Sequence, residues 1–122
     1  MAGSATLTEE IHGTVKKIKI AWTSGTGGDA GKADKTTEEV YSGALIMVAT
    51  VPDGTSTPSA NYDVELNDAD GIDLLAGNGQ NRSDTDTEFI TSGMGAVAND
   101  KLTLAVTNAG DTKKGTIYIY IR

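Results

Sequence analysis

The chain has 122 residues, with ten Lys and Arg against 17 Asp and Glu, one His and no Cys. This length fits one domain with a single core. The net charge of -7 and the lack of a basic stripe argue against nucleic acid as a partner. Without cysteine, disulfides and thiolate metal sites are excluded. We expect no secretion signal and no membrane span, because no segment has the required apolar run.

The first part of the chain predicts an arm, a strand and a loop in that order. Met1 to Gly13 is small and polar apart from Leu7 and Ile11, which indicates an N-terminal arm. Lys16 to Trp22 alternates apolar and polar residues, the period of a strand with one solvated face. Thr23 to Thr37 is rich in glycine and lacks large apolar side chains, so it predicts a long exposed loop.

The middle of the chain contains three further predicted strands. Val40 to Val51 is apolar on both alternate sets of residues, which favours a strand covered on both faces. Pro52-Asp53-Gly54 then predicts a turn. Tyr62 to Leu66 alternates like a half-solvated strand, and Thr87 to Thr91 predicts a weaker strand around Phe89.

The end of the chain has the clearest pattern. Lys101 to Thr107 and Thr116 to Arg122 both alternate, and the connection between them carries Gly110 and Gly115. This pattern predicts an antiparallel hairpin formed by the two segments.

The predicted fold class is all-β. At least six strands separated by turn signals, without an amphipathic helix of normal length, favour an antiparallel β-sandwich or jelly-roll. The sandwich would comprise residues 14–122, preceded by the arm of residues 1–13 and interrupted by one long Gly-rich loop. Its large anchors would be the six aromatic residues, Trp22, Tyr41, Tyr62, Phe89, Tyr118 and Tyr120.

The Gly-rich segment Gly25 to Lys32 superficially resembles a phosphate-binding loop. A P-loop requires Gly where Thr26 stands and a hydroxyl residue where Ala33 stands. No predicted helix follows to direct its N-terminus at a phosphate. A loop without a ligand is therefore the favoured interpretation.

Three aspartates around Gly71 form a candidate calcium site. Asp68, Asp70 and Asp73 offer the carboxylates that calcium prefers, but an EF-hand would place ligands where Ile72 and Gly79 stand. An Asx-type turn held by Asp68 and Asp70 explains the same residues without an ion. The turn is favoured, and calcium binding stays open.

Catalytic chemistry has no sequence signature in this chain. His12 is the single histidine and lies in the predicted arm, so a zinc site or a Ser-His pair cannot be assembled from recognisable motifs. We therefore expect no enzyme activity, no catalytic or metal-binding residue and no cofactor.

Two segments carry a resemblance to a known class of proteins. The stretch from Tyr62 to Ser83, YDVELNDADGIDLLAGNGQNRS, and the ending from Leu102 to Arg122, LTLAVTNAGDTKKGTIYIYIR, resemble small virion structural proteins of tailed phages. Together they cover about a third of the chain. The resemblance implies a head decoration or cement protein, made in the host cytoplasm, that binds the major capsid protein on the capsid surface and self-associates.

Three further expectations follow for binding. The run Ala44 to Val51 and the pair Tyr118 and Tyr120 exceed what one sandwich can bury, which favours a homo-oligomer, either a dimer or a trimer. Met1 to Gly13 and Thr23 to Thr37 would be mobile attachment elements. The alternative function is a carbohydrate- or cell-binding β-module of a phage tail or fibre, in which Trp22 and the tyrosines would be exposed as sugar platforms.

Overall fold

The computed structural model describes all 122 residues, which form nine β-strands and one short 3-10 turn, Gly27–Asp29. The strands are β1 Ser4–His12, β2 Val15–Thr23, β3 Ala33–Thr36, β4 Tyr41–Pro52, β5 Asp63–Asn67, β6 Glu88–Ile90, β7 Ala96–Asp100, β8 Thr103–Thr107 and β9 Lys114–Ile121. There is no α-helix, and thus no helix that is long and apolar enough to cross a membrane.

The strands form two antiparallel sheets. In the larger sheet the order is β1-β2-β9-β4, and both β6 and β7 pair with the remaining edge of β4. In the smaller sheet the order is β3-β8-β5. The predicted fold class, an antiparallel β-sandwich, is confirmed.

The hydrophobic core lies between the two sheets. Alternation along β9 directs Ile117, Ile119 and Ile121 inward, where each is fully buried. The smaller sheet meets them with the buried apolar residues of β5 and β8, which are Val64, Leu66, Leu104 and Val106. β9 is central in its sheet because it pairs with β2 on one side and β4 on the other.

Strand β4 contains an irregularity that changes which residues face the core. Its register against β9 shifts between Leu45 and Met47. As a result, Leu45 and Val48 are both buried, whereas strict alternation would put them on opposite faces. The residues Met47 and Ala49 then lie on the outer face. Both faces of β4 therefore carry apolar residues, as predicted. The sequence pattern did not reveal the shift in register that decides which residues lie on each face.

The prediction of an N-terminal arm was wrong. Residues 4–12 form strand β1, paired with β2 over its whole length, from Ser4 opposite Thr23 to His12 opposite Val15. Leu7 lies opposite Ile20 and packs against the core, which fixes the strand. Gly13, with a φ of 63°, begins the two-residue turn that returns the chain into β2. The sandwich thus includes the segment predicted to precede it.

The prediction of a long exposed loop at residues 23–37 was wrong for part of the segment, because residues 24–32 lie outside the strands but Ala33–Thr36 form strand β3. Ala33 begins strand β3 and is buried opposite Val106, so a small side chain is sufficient to anchor the segment. At its other end, the Ser24 hydroxyl donates to the carbonyl of Gly110, and its oxygen accepts from the amide of Lys113 at 2.8 Å. These contacts attach the segment to the sandwich at both ends.

The predicted hairpin of residues 101–107 with 116–122 does not form, although both segments are strands. β8 pairs with β3 and β5, whereas β9 pairs with β2 and β4. The connection, residues 108–113, crosses from one sheet to the other. The two apolar faces therefore meet across the core, where packing both sheets buries more apolar area than a single hairpin.

Candidate binding face

The outer face of the larger sheet carries the exposed aromatic side chains. Because Ile117, Ile119 and Ile121 face inward, Tyr118 and Tyr120 of β9 face outward, and both are half-buried. On the neighbouring strand β4, Ala49 lies opposite Tyr118 and Met47 opposite Tyr120. An apolar surface thus begins at the centre of the sheet.

Strand β6 extends this surface. Phe89 lies opposite Ala49, which places it in the same cross-strand row as Tyr118. Phe89 is 61% exposed, whereas Ala49 between the two rings is only 4% exposed. Because Ala49 lies on an outer face, its low exposure means that the larger side chains of the row cover its methyl group. We name this surface, comprising Phe89, Ala49, Tyr118, Met47 and Tyr120, the aromatic face.

Two lysines flank the aromatic face on the side of β2. Lys17 and Lys19 lie opposite Tyr120 and Tyr118, respectively. Their ammonium nitrogens lie 5.6 Å and 5.9 Å from the centroid of the Tyr118 ring, within the range of cation-π attraction. The lysines therefore hold the ring and place positive charge beside it, on a chain whose net charge is -7.

The outer face of the smaller sheet is polar. Its central row is Asp34, Ala105 and Glu65, with both acidic residues exposed. In the next row Thr107 lies opposite Asp63, whose carboxylate accepts from the Asn108 amide at 2.6 Å. This face offers no aromatic side chain. The two outer faces of the sandwich therefore differ in chemistry, and the aromatic face is the one suited to stacking and apolar contact.

The aspartates of the candidate calcium site are separated by the fold. Asp68 accepts from the amides of Asp70 and Ile72, each at 3.0 Å, as expected for an Asx-type turn. Asp73 is directed elsewhere: its carboxylate accepts from the amides of Leu66, Leu75 and Gly77. It therefore stabilises the loop that lies along β5 and does not join the other two.

A different third carboxylate lies beside Asp68 and Asp70. Asp100, at the end of β7, has a carboxylate oxygen within 4.8 Å of oxygens from both. Such oxygens are of the type that a hard cation prefers. Sequence reasoning missed Asp100 because it is distant along the chain and is brought near only by the pairing of β7 with β4.

A groove of about 680 Å³ lies at the end of the sandwich where β1 turns into β2. It is bordered by the exposed Ile11 and Val40 and by Glu9 and Tyr41. The Glu9 carboxylate accepts from the Tyr41 hydroxyl and from the amides of Glu38 and Glu39. Burial, followed by the bond to Glu9, raises the pKa of the Tyr41 phenol above its ordinary value. Glu9 thus serves as an anchor for the β3–β4 connection.

The remaining candidate residues lie apart from one another. His12 is exposed at the end of β1, where its Nε2 lies 3.1 Å from the Glu10 carboxylate, and no serine hydroxyl is hydrogen-bonded to it. In the Gly25 to Lys32 segment, Gly25 forms a bridge with Ala30 and the short 3-10 turn lies between them. Trp22 is 1% exposed, so it is excluded as a sugar platform.

The comparisons with known proteins assign no family to this chain. No protein-family model matches it, and no curated protein matches it. Among solved structures, a low-affinity xylan-binding module from the gut symbiont Roseburia intestinalis aligns with 97% of this chain and 84% of its own, at 12% identity and a TM-score of 0.44.

Proposed function

We propose that this chain is a non-catalytic virion structural protein that decorates the head of a tailed phage and binds the major capsid protein through the aromatic face. The observation that carries this proposal is the row of Phe89, Ala49 and Tyr118, in which the exposed Phe89 ring and the half-buried Tyr118 ring lie on one outer face where an external partner can contact them. The resemblance of two segments to phage virion proteins supports the choice of partner.

The chemistry of the aromatic face suits a protein partner. Aromatic residues and methionine are enriched in the buried centres of protein interfaces, and polar or charged residues in the surrounding rim. Here Met47 and Tyr120 lie at the centre of the sheet, and Lys17 and Lys19 lie beside them. Many copies of such a face bind a repeated lattice more tightly than one copy binds a single site. The reason is that each contact already made raises the effective concentration for the next contact.

The test is binding to preformed heads assembled from the major capsid protein of the same phage. The double variant Phe89→Ala with Tyr118→Ala removes two rings that face away from the core, so we expect the fold to persist and head occupancy to fall at least about tenfold. The matched control is Glu65→Ala on the polar face, which should bind like the wild type. Co-sedimentation with the heads measures occupancy, and circular dichroism checks the fold. Unchanged occupancy of the double variant would overturn the proposal.

The second candidate is a carbohydrate- or cell-binding module of a tail or fibre. It is favoured by the position of Tyr118 and Phe89 in one cross-strand row of the same outer face, since sugar rings stack on aromatic side chains. Titration with soluble polysaccharides of the host surface, followed by calorimetry, separates the two functions. Binding of a polysaccharide that is lost in the double variant, together with no binding to heads, would replace the first proposal by the second.

A further inference from the structure

One sheet edge is left unpaired over the full length of a long strand. The two-residue turn at Gly13 makes His12 and Val15 a hydrogen-bonded pair, so the even-numbered residues of β1 direct their backbone groups at β2. The backbone N–H and C=O groups of the odd-numbered residues, Ala5, Leu7, Glu9 and Ile11, point away from β2. No hydrogen bond outside the sheet ladders involves these groups, and β1 has no ladder partner other than β2.

The other edges are short or covered. β5 is covered by the loop of residues 72–82, through backbone bonds such as Leu74 to Leu66 at 2.8 Å and Val64 to Gly79 at 2.8 Å. β6 and β7 share the far edge of β4 and span only three and five residues. β3 has four residues. The nine-residue β1 is therefore the one long template for an added strand.

β1 lacks most of the devices that usually block an edge. It contains no proline, no lysine and no bulge, and its register with β2 is regular. Its one inward charge, Glu9, is bound by the amides of Glu38 and Glu39 at 2.9 Å and 3.2 Å. β3 approaches from the smaller sheet, but no β-ladder joins it to β1.

We propose that β1 pairs antiparallel with β1 of a second copy of this chain about a two-fold axis at Thr8. This register overlaps all nine residues and allows about eight backbone hydrogen bonds, because each of four outward pairs exchanges two. On the outer face Thr8 meets its own copy, Glu10 meets Thr6, and His12 meets Ser4. No like charges are opposed, and a Thr pair is favourable across strands.

The neighbouring symmetric registers are poorer. A shift that centres the axis on Glu9 places two carboxylates directly opposite each other, which is destabilising. A shift that centres it on Leu7 leaves the end of each strand, at Ile11 and His12, without a partner residue inside β1. The composition of β1 therefore selects Thr8 as the centre.

The dimer has a consequence for binding. The two-fold axis of such an antiparallel pair is perpendicular to the sheet, so both copies present the aromatic face on the same side of one continuous sheet. Two coplanar faces would bind a repeated surface with higher avidity than one. The pairing itself depends only on the fold, so its failure would leave the proposed binding face intact.

The absence of native cysteine makes cross-linking a clean test. Thr8 and its copy form a non-hydrogen-bonded pair with Cα atoms about 4.5 Å apart, within disulfide range. We expect Thr8→Cys to give a dimer of twice 12.6 kDa under mild oxidation. Glu10→Cys is the matched control, since its two copies would lie about 14 Å apart and should not form a covalent dimer on a non-reducing denaturing gel. A mixture of Thr6→Cys and Glu10→Cys should cross-link as a mixed dimer.

The outcomes separate clearly. A Thr8→Cys protein that forms no covalent dimer, or a Glu10→Cys protein that cross-links equally well, would overturn the proposed pairing. Wild-type protein should sediment as a dimer at micromolar concentration, and a monomer there would also overturn it. Ile11→Pro removes an outward N–H without breaking a bond to β2, so it should weaken the dimer about tenfold, whereas Ile11→Thr should not.

Discussion

The indole ring of Trp22 and the phenol ring of Tyr62 lie 5.6 Å apart between centroids and are tilted by 51°, which joins the two sheets across the core. Trp22 belongs to β2 of the larger sheet, and Tyr62 directly precedes β5 of the smaller one. Both are buried, and the indole Nε1 has no hydrogen-bond partner; the hydroxyls of Tyr62 and Thr50 lie beside each other but form no hydrogen bond of ordinary geometry. This end of the core therefore contains polar atoms whose desolvation is uncompensated.

Removing one of these atoms should stabilise the protein. We expect Tyr62→Phe to raise the free energy of unfolding by about 1 kcal/mol, because the ring contact with Trp22 is kept and a buried hydroxyl without a well-formed hydrogen bond is lost. The matched control is Tyr41→Phe, which should lower it, since the Tyr41 hydroxyl is hydrogen-bonded to Glu9. Urea unfolding of the three proteins gives the comparison. A less stable Tyr62→Phe would mean that its hydroxyl has a partner.

The ring of Trp22 also constrains the strand beside it. An added Cβ at Gly115 would lie 2.6 Å from Cζ2 of Trp22, far closer than a van der Waals contact. Gly115→Ala should therefore displace the indole and lower the free energy of unfolding by about 1 to 3 kcal/mol. Gly54→Ala, in open space, should change it little. Since Trp22 is the single tryptophan, its emission spectrum should shift in Gly115→Ala alone.

The strands that the sequence predicts well are those whose pattern is local. Alternation along Ile117, Ile119 and Ile121 identifies both the strand and its inward face, and hence the outward Tyr118. Alternation does not identify the neighbouring strand, because any apolar face can pack on any other. For this reason β8 and β9 were predicted as a hairpin, although the core lies between them.

The candidate sites depend on contacts that are distant along the chain. Phe89 joins Tyr118 only because β4 lies between β6 and β9, and the offset in β4 determines that Ala49 faces outward. Asp100 approaches Asp68 in the same way, through the position of β7. The strand at residues 4–12 was missed because Leu7 is its one large apolar residue that packs against the core, which is too weak a pattern to predict pairing with β2.

The two neighbouring aspartates Asp73 and Asp70 should differ sharply in their effect on stability. Asp73→Ala removes the acceptor of three backbone amides in the loop along β5, so we expect the free energy of unfolding to fall by about 2 to 3 kcal/mol. Asp70→Ala removes an exposed carboxylate near those of Asp68 and Asp100 and should be neutral or slightly stabilising. Thermal unfolding in low salt measures both. Equal losses in the two variants would contradict the assigned role of Asp73.

Alkaline pH should destabilise the fold through its buried tyrosines. Burial raises the pKa of Tyr62 from 10.0 to about 12, and burial together with Glu9 raises that of Tyr41. Well below pH 10.0 these phenols are protonated in both states, so their contribution to stability is constant there. Above it the unfolded chain releases protons that the folded chain retains, so the free energy of unfolding falls until the folded phenols also ionise. We expect urea midpoints to drop between about pH 9 and pH 11, and to drop less in the double variant Tyr41→Phe with Tyr62→Phe. An equally steep drop in that variant would assign the loss to other groups.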